Sequence, residues 1–114
     1  MNAKQSIAAL ASLAQETRLA IFRLLVQRGP EGLAAGAIAT ALDVAPSSLS
    51  FHLAHLKHAG LIEQRRESRS LIYSASFPRM NALMAYLTDK CCGGASCAPS
   101  ETAEAMRPPR RKSA

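Results

Sequence analysis

The chain has 114 residues, which leaves room for one domain and excludes a large multi-domain enzyme. It is 48% hydrophobic and 19% charged, a balance that suits a folded chain better than a disordered one. Fourteen Lys and Arg against eight Asp and Glu leave a net charge of +6, which favours a polyanionic partner. No apolar run approaches the roughly 18 residues that a membrane span needs, so no membrane partner is expected.

Aromatic residues make up only 4% of the chain and Trp is absent, so Leu, Ile, Ala and Met must build the core. Cores of that kind belong to packed helices. The first segment pairs Lys4 with an apolar stretch over 7–14 that loosely imitates a secretory leader. Ile7, Leu10 and Ala14 nevertheless fall at helical spacing, and the stretch is barely long enough for a leader. An interfacial helix in a cytoplasmic protein is the expectation.

Residues 16–28 form the next helix, with Leu19, Phe22, Leu25 and Val26 as its stripe. Glu16 and Arg28 complement the two ends of its dipole, and Gly29 and Pro30 stop it. A short helix over 34–42 buries Ile38 and Leu42. Asp43, Val44 and Ala45 then make a tight turn, and Pro46 opens a helix that runs to His58. Leu49, Leu53 and Leu56 share its inner face. Two strands, 61–66 and 71–75, follow, joined over 67–70 by a looser, mobile tip that lacks the usual Asn-Gly turn. Pro78 starts a last helix with the stripe Met80, Leu83, Met84 and Leu87. Past residue 97 the chain turns Pro-rich and polar, and 98–114 reads as a disordered tail.

Two short helices joined by a three-residue turn, the second polar on its outer face, are the parts of a helix-turn-helix. The small hydroxyls of Ser47, Ser48 and Ser50 allow a close approach to the major groove, and His55 also points away from the leucine face. Arg65, Arg66 and Arg69 on the hairpin would flank that helix as a wing and neutralise phosphates. The expected fold is mainly α with a small β-hairpin, a winged helix-turn-helix. The stripes Ile7/Leu10/Ala14 and Met80/Leu83/Met84/Leu87 exceed what so small a domain buries alone, so a homodimer is expected. Its operator should be an imperfect palindrome of double-stranded DNA.

The segments ETRLAIFRLL (16–25), SSLSFHLAHLKHAGLI (47–62) and RRESRSLIY (65–73) resemble the ArsR/SmtB family of winged-helix repressors, over roughly residues 5–90. The resemblance implies a dimer joined through its first and last helices, repression of an operon, and release when a metal ion binds. Ser68 stands where the family often has Gly in the wing.

All three cysteines, Cys91, Cys92 and Cys97, lie within seven residues. Thiolates select soft ions, and Gly93 and Gly94 let the backbone fold back so that three sulfurs meet. Three sulfurs fall one ligand short of a structural zinc site but match the three-donor pyramid of As(III) or Sb(III), the expected inducer. The odd count also argues against a complete disulfide framework. By resemblance, the chain looks like arsenite-responsive repressors that place a cysteine pair and a third cysteine after the final helix. The segment over 33–42 lacks the cysteines of the best-known arsenite sensors, and 77–90 lacks the Asp and His set of the zinc sensors.

Two alternatives for the thiols stay open: a redox-sensing transcription factor, and a Cd, Zn or Cu(I) sensor with an extra ligand. A metalloid-trapping protein that does not regulate transcription is a third rival. His52, His55 and His58 recur every three residues but drift around the helix rather than converging, which disfavours a metal site there. No nucleophile–base pair or phosphate-cradling loop suggests an enzyme. The expected division is a DNA-binding domain over 1–90, a metalloid-binding segment over 91–97, and the tail.

Overall fold

A computed structural model of the chain describes residues 1–94. Cys97 and the tail over 98–114 lie outside the described residues. Helix α1 spans Ala3–Leu13 and α2 spans Glu16–Arg28. Strand β1 (Leu33–Ala34) leads into α3 (Ala35–Leu42), and α4 covers Pro46–His58. Strands β2 (Ile62–Glu67) and β3 (Ser70–Ala75) precede α5 (Phe77–Leu87) and a 3-10 turn at Cys91–Gly94. The chain divides into two compact units, Met1–Leu83 and a second that begins at Met84.

The helix ends follow local chemistry. Asn2 and Gln5 form a reciprocal capping box at the start of α1, which satisfies two backbone donors that the helix cannot. Gln15 accepts from the Arg18 N–H at the start of α2, and Gly29, at φ 89°, ends that helix. Pro46 occupies the first turn of α4, where its missing N–H is of no consequence.

The core of the first unit gathers Ala9, Ile21, Phe22, Leu25, Ile38 and the α4 leucines Leu49, Leu53 and Leu56. Leu61 and Ile62, at the entry to β2, and Leu83 of α5 are also buried. On α2 the expected Phe22 and Leu25 are buried together with the fully buried Ile21, whereas Leu19 is 44% exposed. The expected α2 stripe is therefore rotated: Ile21 and Leu25, four apart, set the buried meridian, and Leu19 lies off it.

The small sheet has the order β1-β3-β2 and is antiparallel throughout. Its third strand was not expected. Leu33 pairs with Tyr73 and Ala34 with Ile72, and Ala34 holds extended backbone (φ −70°, ψ 154°) as the residue before α3, so the helix starts one residue late. Gly32, at φ 71°, brings this edge against β3 so closely that an added Cβ would collide with the Tyr73 carbonyl.

The hairpin also differs from expectation. Glu67 pairs with Ser70, so only Ser68 and Arg69 lie outside the ladder, and the tip is a tight two-residue turn. Ser68 supplies the required left-handed backbone at φ 56°. It sits where glycine would meet the least strain.

On α1 the inner face is small and polar-edged, with Ser6, Ala9 and Ser12 buried. Ile7 is 66% exposed and Leu10 42%. In the second unit, Met84 and Leu87 of α5 are likewise exposed. Among the described residues no helix is long and apolar enough to cross a membrane.

A candidate nucleic-acid interface

Helices α3 and α4 meet across Asp43–Val44–Ala45, where Asp43 takes the left-handed conformation (φ 55°, ψ 51°) and the Val44 N–H donates to the Ala39 carbonyl. The three leucines of α4 lock its inner face to the core. Ser47, Ser48 and Ser50 consequently stand exposed on its outer face. Ala45 offers no side-chain cap, so the first-turn N–H groups of α4 point outward from the positive end of the helix. Exposed hydroxyls and exposed amide donors at one helix end suit phosphate and base-edge acceptors.

Phe51 is 64% exposed on the same helix, and its ring stands edge-on to those of His52 and His55, at centroid distances of 5.6 and 6.3 Å. The sequence reading passed over it. An aromatic side chain directly after three serines was the available signal.

His55 is engaged with α1 and His52 with α2. Ser12 Oγ and His55 Nδ1 share a hydrogen bond of 3.2 Å, so His55, exposed though it is, faces α1 at that nitrogen. Arg18 Nε–H donates to the Ser12 carbonyl at 2.6 Å, and its Nη1 donates to His52 Nδ1 at 3.3 Å. That nitrogen can accept only on a neutral ring. Burial, reinforced by the Arg18 charge and by His55, holds the His52 pKa below its ordinary 6.5. The cluster thus ties α1 and α2 to the back of α4. Among the described residues no group of three or more His, Cys, Asp or Glu side chains is placed to hold a metal ion.

The wing arginines separate into two kinds. Arg65 donates from Nε to Glu67 Oε2 (2.8 Å), from Nη1 to the Pro30 carbonyl (3.3 Å) and from Nη2 to the Glu31 carbonyl (2.6 Å). Its guanidinium braces β2 against the turn after α2. Arg66 and Arg69 are exposed and have no ion-pair partner among the described residues. Lys57 at the end of α4 donates to Gln64 Oε1 (3.1 Å), a second link between recognition helix and wing.

In the second unit, Cys91 is half-buried and Cys92 exposed on the turn that follows α5. Lys90, Cys92 and Gly93 all have positive φ (57°, 56° and 67°), so the chain reverses sharply at the cysteine pair. The Cys91 N–H donates to the Thr88 carbonyl at 3.0 Å. The donor chemistry of two adjacent thiols at a reversal fits a soft ion, and the third expected ligand, Cys97, is outside the described residues.

A model of the helix-turn-helix domain family matches residues 13–65. The chain is 31% identical over 91 residues to the HTH-type transcriptional regulator YgaV of Escherichia coli, covering 80% of this chain and 90% of that one. It is 30% identical over 91 residues to the transcriptional activator HlyU of Vibrio cholerae, covering 80% and 82%. The HlyU structure superposes with a TM-score of 0.64, over 80% of this chain and 96% of that one. The homodimeric winged helix-turn-helix DNA-binding domain of Mb0332 from Mycobacterium bovis, a candidate ArsR-family regulator, gives a TM-score of 0.61 at 34% identity, covering 76% and 81%.

Proposed function

The chain belongs to the ArsR-type winged helix-turn-helix transcriptional regulators, and from that premise we propose that it is a metalloid-responsive repressor. Members of this family are DNA-binding regulators and not enzymes. In our reading two copies bind a palindromic operator, joined through their first and last helices; the similar Mb0332 domain is a homodimer. Exposed Ile7 and Leu10 on α1 and Met84 and Leu87 on α5 supply the apolar surface for that contact. Ser47, Ser48 and Ser50 face the major groove, while Arg66 and Arg69 meet phosphates and Arg65 holds the wing at its angle.

The observation that carries the inducer assignment is the set of three cysteines within seven residues after α5. Cys91, Cys92 and Cys97 offer As(III) or Sb(III) three soft donors, and binding there alters the end of the dimerising helix. The operator and the inducer then weaken each other's binding by one common factor. The test is arsenic absorption spectroscopy with metal analysis on the reduced chain. One arsenic per chain bound by three sulfurs supports the site; fewer than three sulfurs in the wild type removes it. An exposed Cys92 next to Cys91 also favours a second reading, a thiol-based oxidation sensor, which would respond to peroxide and ignore arsenite.

A further inference from the structure

A groove of about 780 Å³ runs between α1 and α4 and reaches the first turn of α5, on the flank of the recognition helix. That volume lies within the range of pockets that enclose small organic ligands. It is lined by Ala8 and Ala11 from α1, by Ala54, His55, His58 and the exposed Phe51 from α4, and by Ala59. The alanines leave a trench where longer side chains would have filled the gap. Lys4 and Arg79 also line the groove, and no carboxylate does.

The two cations are not neutralised nearby. The ion pairs among the described residues join Arg28 to Glu31 and Arg65 to Glu67, elsewhere on the fold. Arg79 is also placed by the backbone: Gly60, at φ 81°, lets the guanidinium lie against it, and a Cβ there would stand 2.7 Å from Nε. A planar fork on the lining of a mostly apolar trench suits a carboxylate attached to an apolar body.

We propose that this groove binds a small amphipathic monoanion, a carboxylate on an apolar chain, and that the occupant alters operator affinity. The site lies in the first unit and needs none of the cysteines, so it stands apart from the metalloid assignment. It is also distinct from the proposed dimer stripe. On α1, Lys4, Ala8 and Ala11 are centred roughly a quarter turn from Ile7 and Leu10 at about 100° per residue. Coupling to DNA runs through α4, because Phe51 lies one turn beyond Ser47 and Ser48 and touches His55, the residue bonded to Ser12 of α1. An occupant that wedges α1 from α4 acts on that bond and on the helix that reads DNA.

The test is calorimetric titration of the reduced full chain with decanoate, with decyltrimethylammonium as the same chain length carrying the opposite charge. Decanoate should bind once per chain and the cation should not. The double variant K4Q/R79Q should lose about tenfold or more in decanoate affinity, the scale of a lost charge-assisted hydrogen bond. Ala8→Trp, which fills the trench from an exposed helix position, should abolish binding, with circular dichroism confirming an unchanged helix content. Operator affinity should shift at least about fivefold with decanoate in the wild type and not in Ala8→Trp. Absence of saturable decanoate binding, equal binding of the cation, or indifference to both variants overturns the site. Saturable binding that leaves operator affinity unchanged overturns the coupling.

Discussion

Replacing Arg65 by Ala separates a wing that is braced from a wing that merely carries charge. The guanidinium makes three hydrogen bonds, two to backbone carbonyls of Pro30 and Glu31 and one to the Glu67 carboxylate. Its side chain is 42% exposed and that of Glu67 57%, so the ion pair itself contributes about 0–1 kcal/mol. Each carbonyl bond, partly screened by water, adds about 0.5–1 kcal/mol. Arg65→Ala should therefore destabilise the fold by about 1–3 kcal/mol, read from the urea midpoint. Operator affinity should fall because β2 loses its brace, while the slope of log affinity against log salt stays near the wild-type value. Arg66→Ala and Arg69→Ala should do the reverse: stability within about 0.5 kcal/mol of wild type, and a salt slope smaller by about one each. An Arg65→Ala protein of unchanged stability whose salt slope drops by about one would refute the bracing role and restore Arg65 as a phosphate contact.

Three further outcomes follow from the same geometry. His52 has a lower pKa folded than unfolded, so the unfolded chain takes up the proton first as pH falls. Stability is then fully present above 6.5 and declines as pH drops through that value; His52→Gln should flatten the decline between about pH 7.5 and about pH 5.5, and an unchanged pH profile would contradict it. Gly32→Ala should cost about 1–3 kcal/mol in urea denaturation, because its positive φ is strained and its Cβ meets the Tyr73 carbonyl; a neutral result would mean that β1 does not pair as described. Leu56→Ala, at a fully buried position behind the recognition helix, should cost about 2–5 kcal/mol, whereas Ser50→Ala should leave stability unchanged and weaken operator binding.

The parts of this fold most legible in the chain are those set by punctuation. Gly29–Pro30 and Pro46 mark ends of α2 and α4 to the residue, because one breaks the helical hydrogen-bond pattern and the other suits a first turn. Leu49, Leu53 and Leu56 reveal their face by helical spacing, with serines and histidines among the residues between them. On α2 the apolar residues are too dense to mark a single meridian, so the choice between Leu19 and Ile21 depended on what packs against the helix. Strand β1 is two residues long and has no alternation to detect; it exists because β3 offers an edge and Gly32 permits the approach. The surface serines and the wing cations could be read from composition and order. Arg65's brace could not, since its carbonyl partners lie 34 and 35 residues away. The groove was equally hidden, because its trench needs alanines from two helices that only the fold brings together.

The most direct measurement is a titration of arsenite into the reduced protein bound to a labelled operator duplex, followed by anisotropy, for the wild type and for Cys91→Ser, Cys92→Ser and Cys97→Ser. A three-sulfur inducer site predicts release of DNA from the wild type near one arsenite per chain, with each variant retaining its DNA at that concentration. Release from all three variants at the wild-type concentration would contradict it.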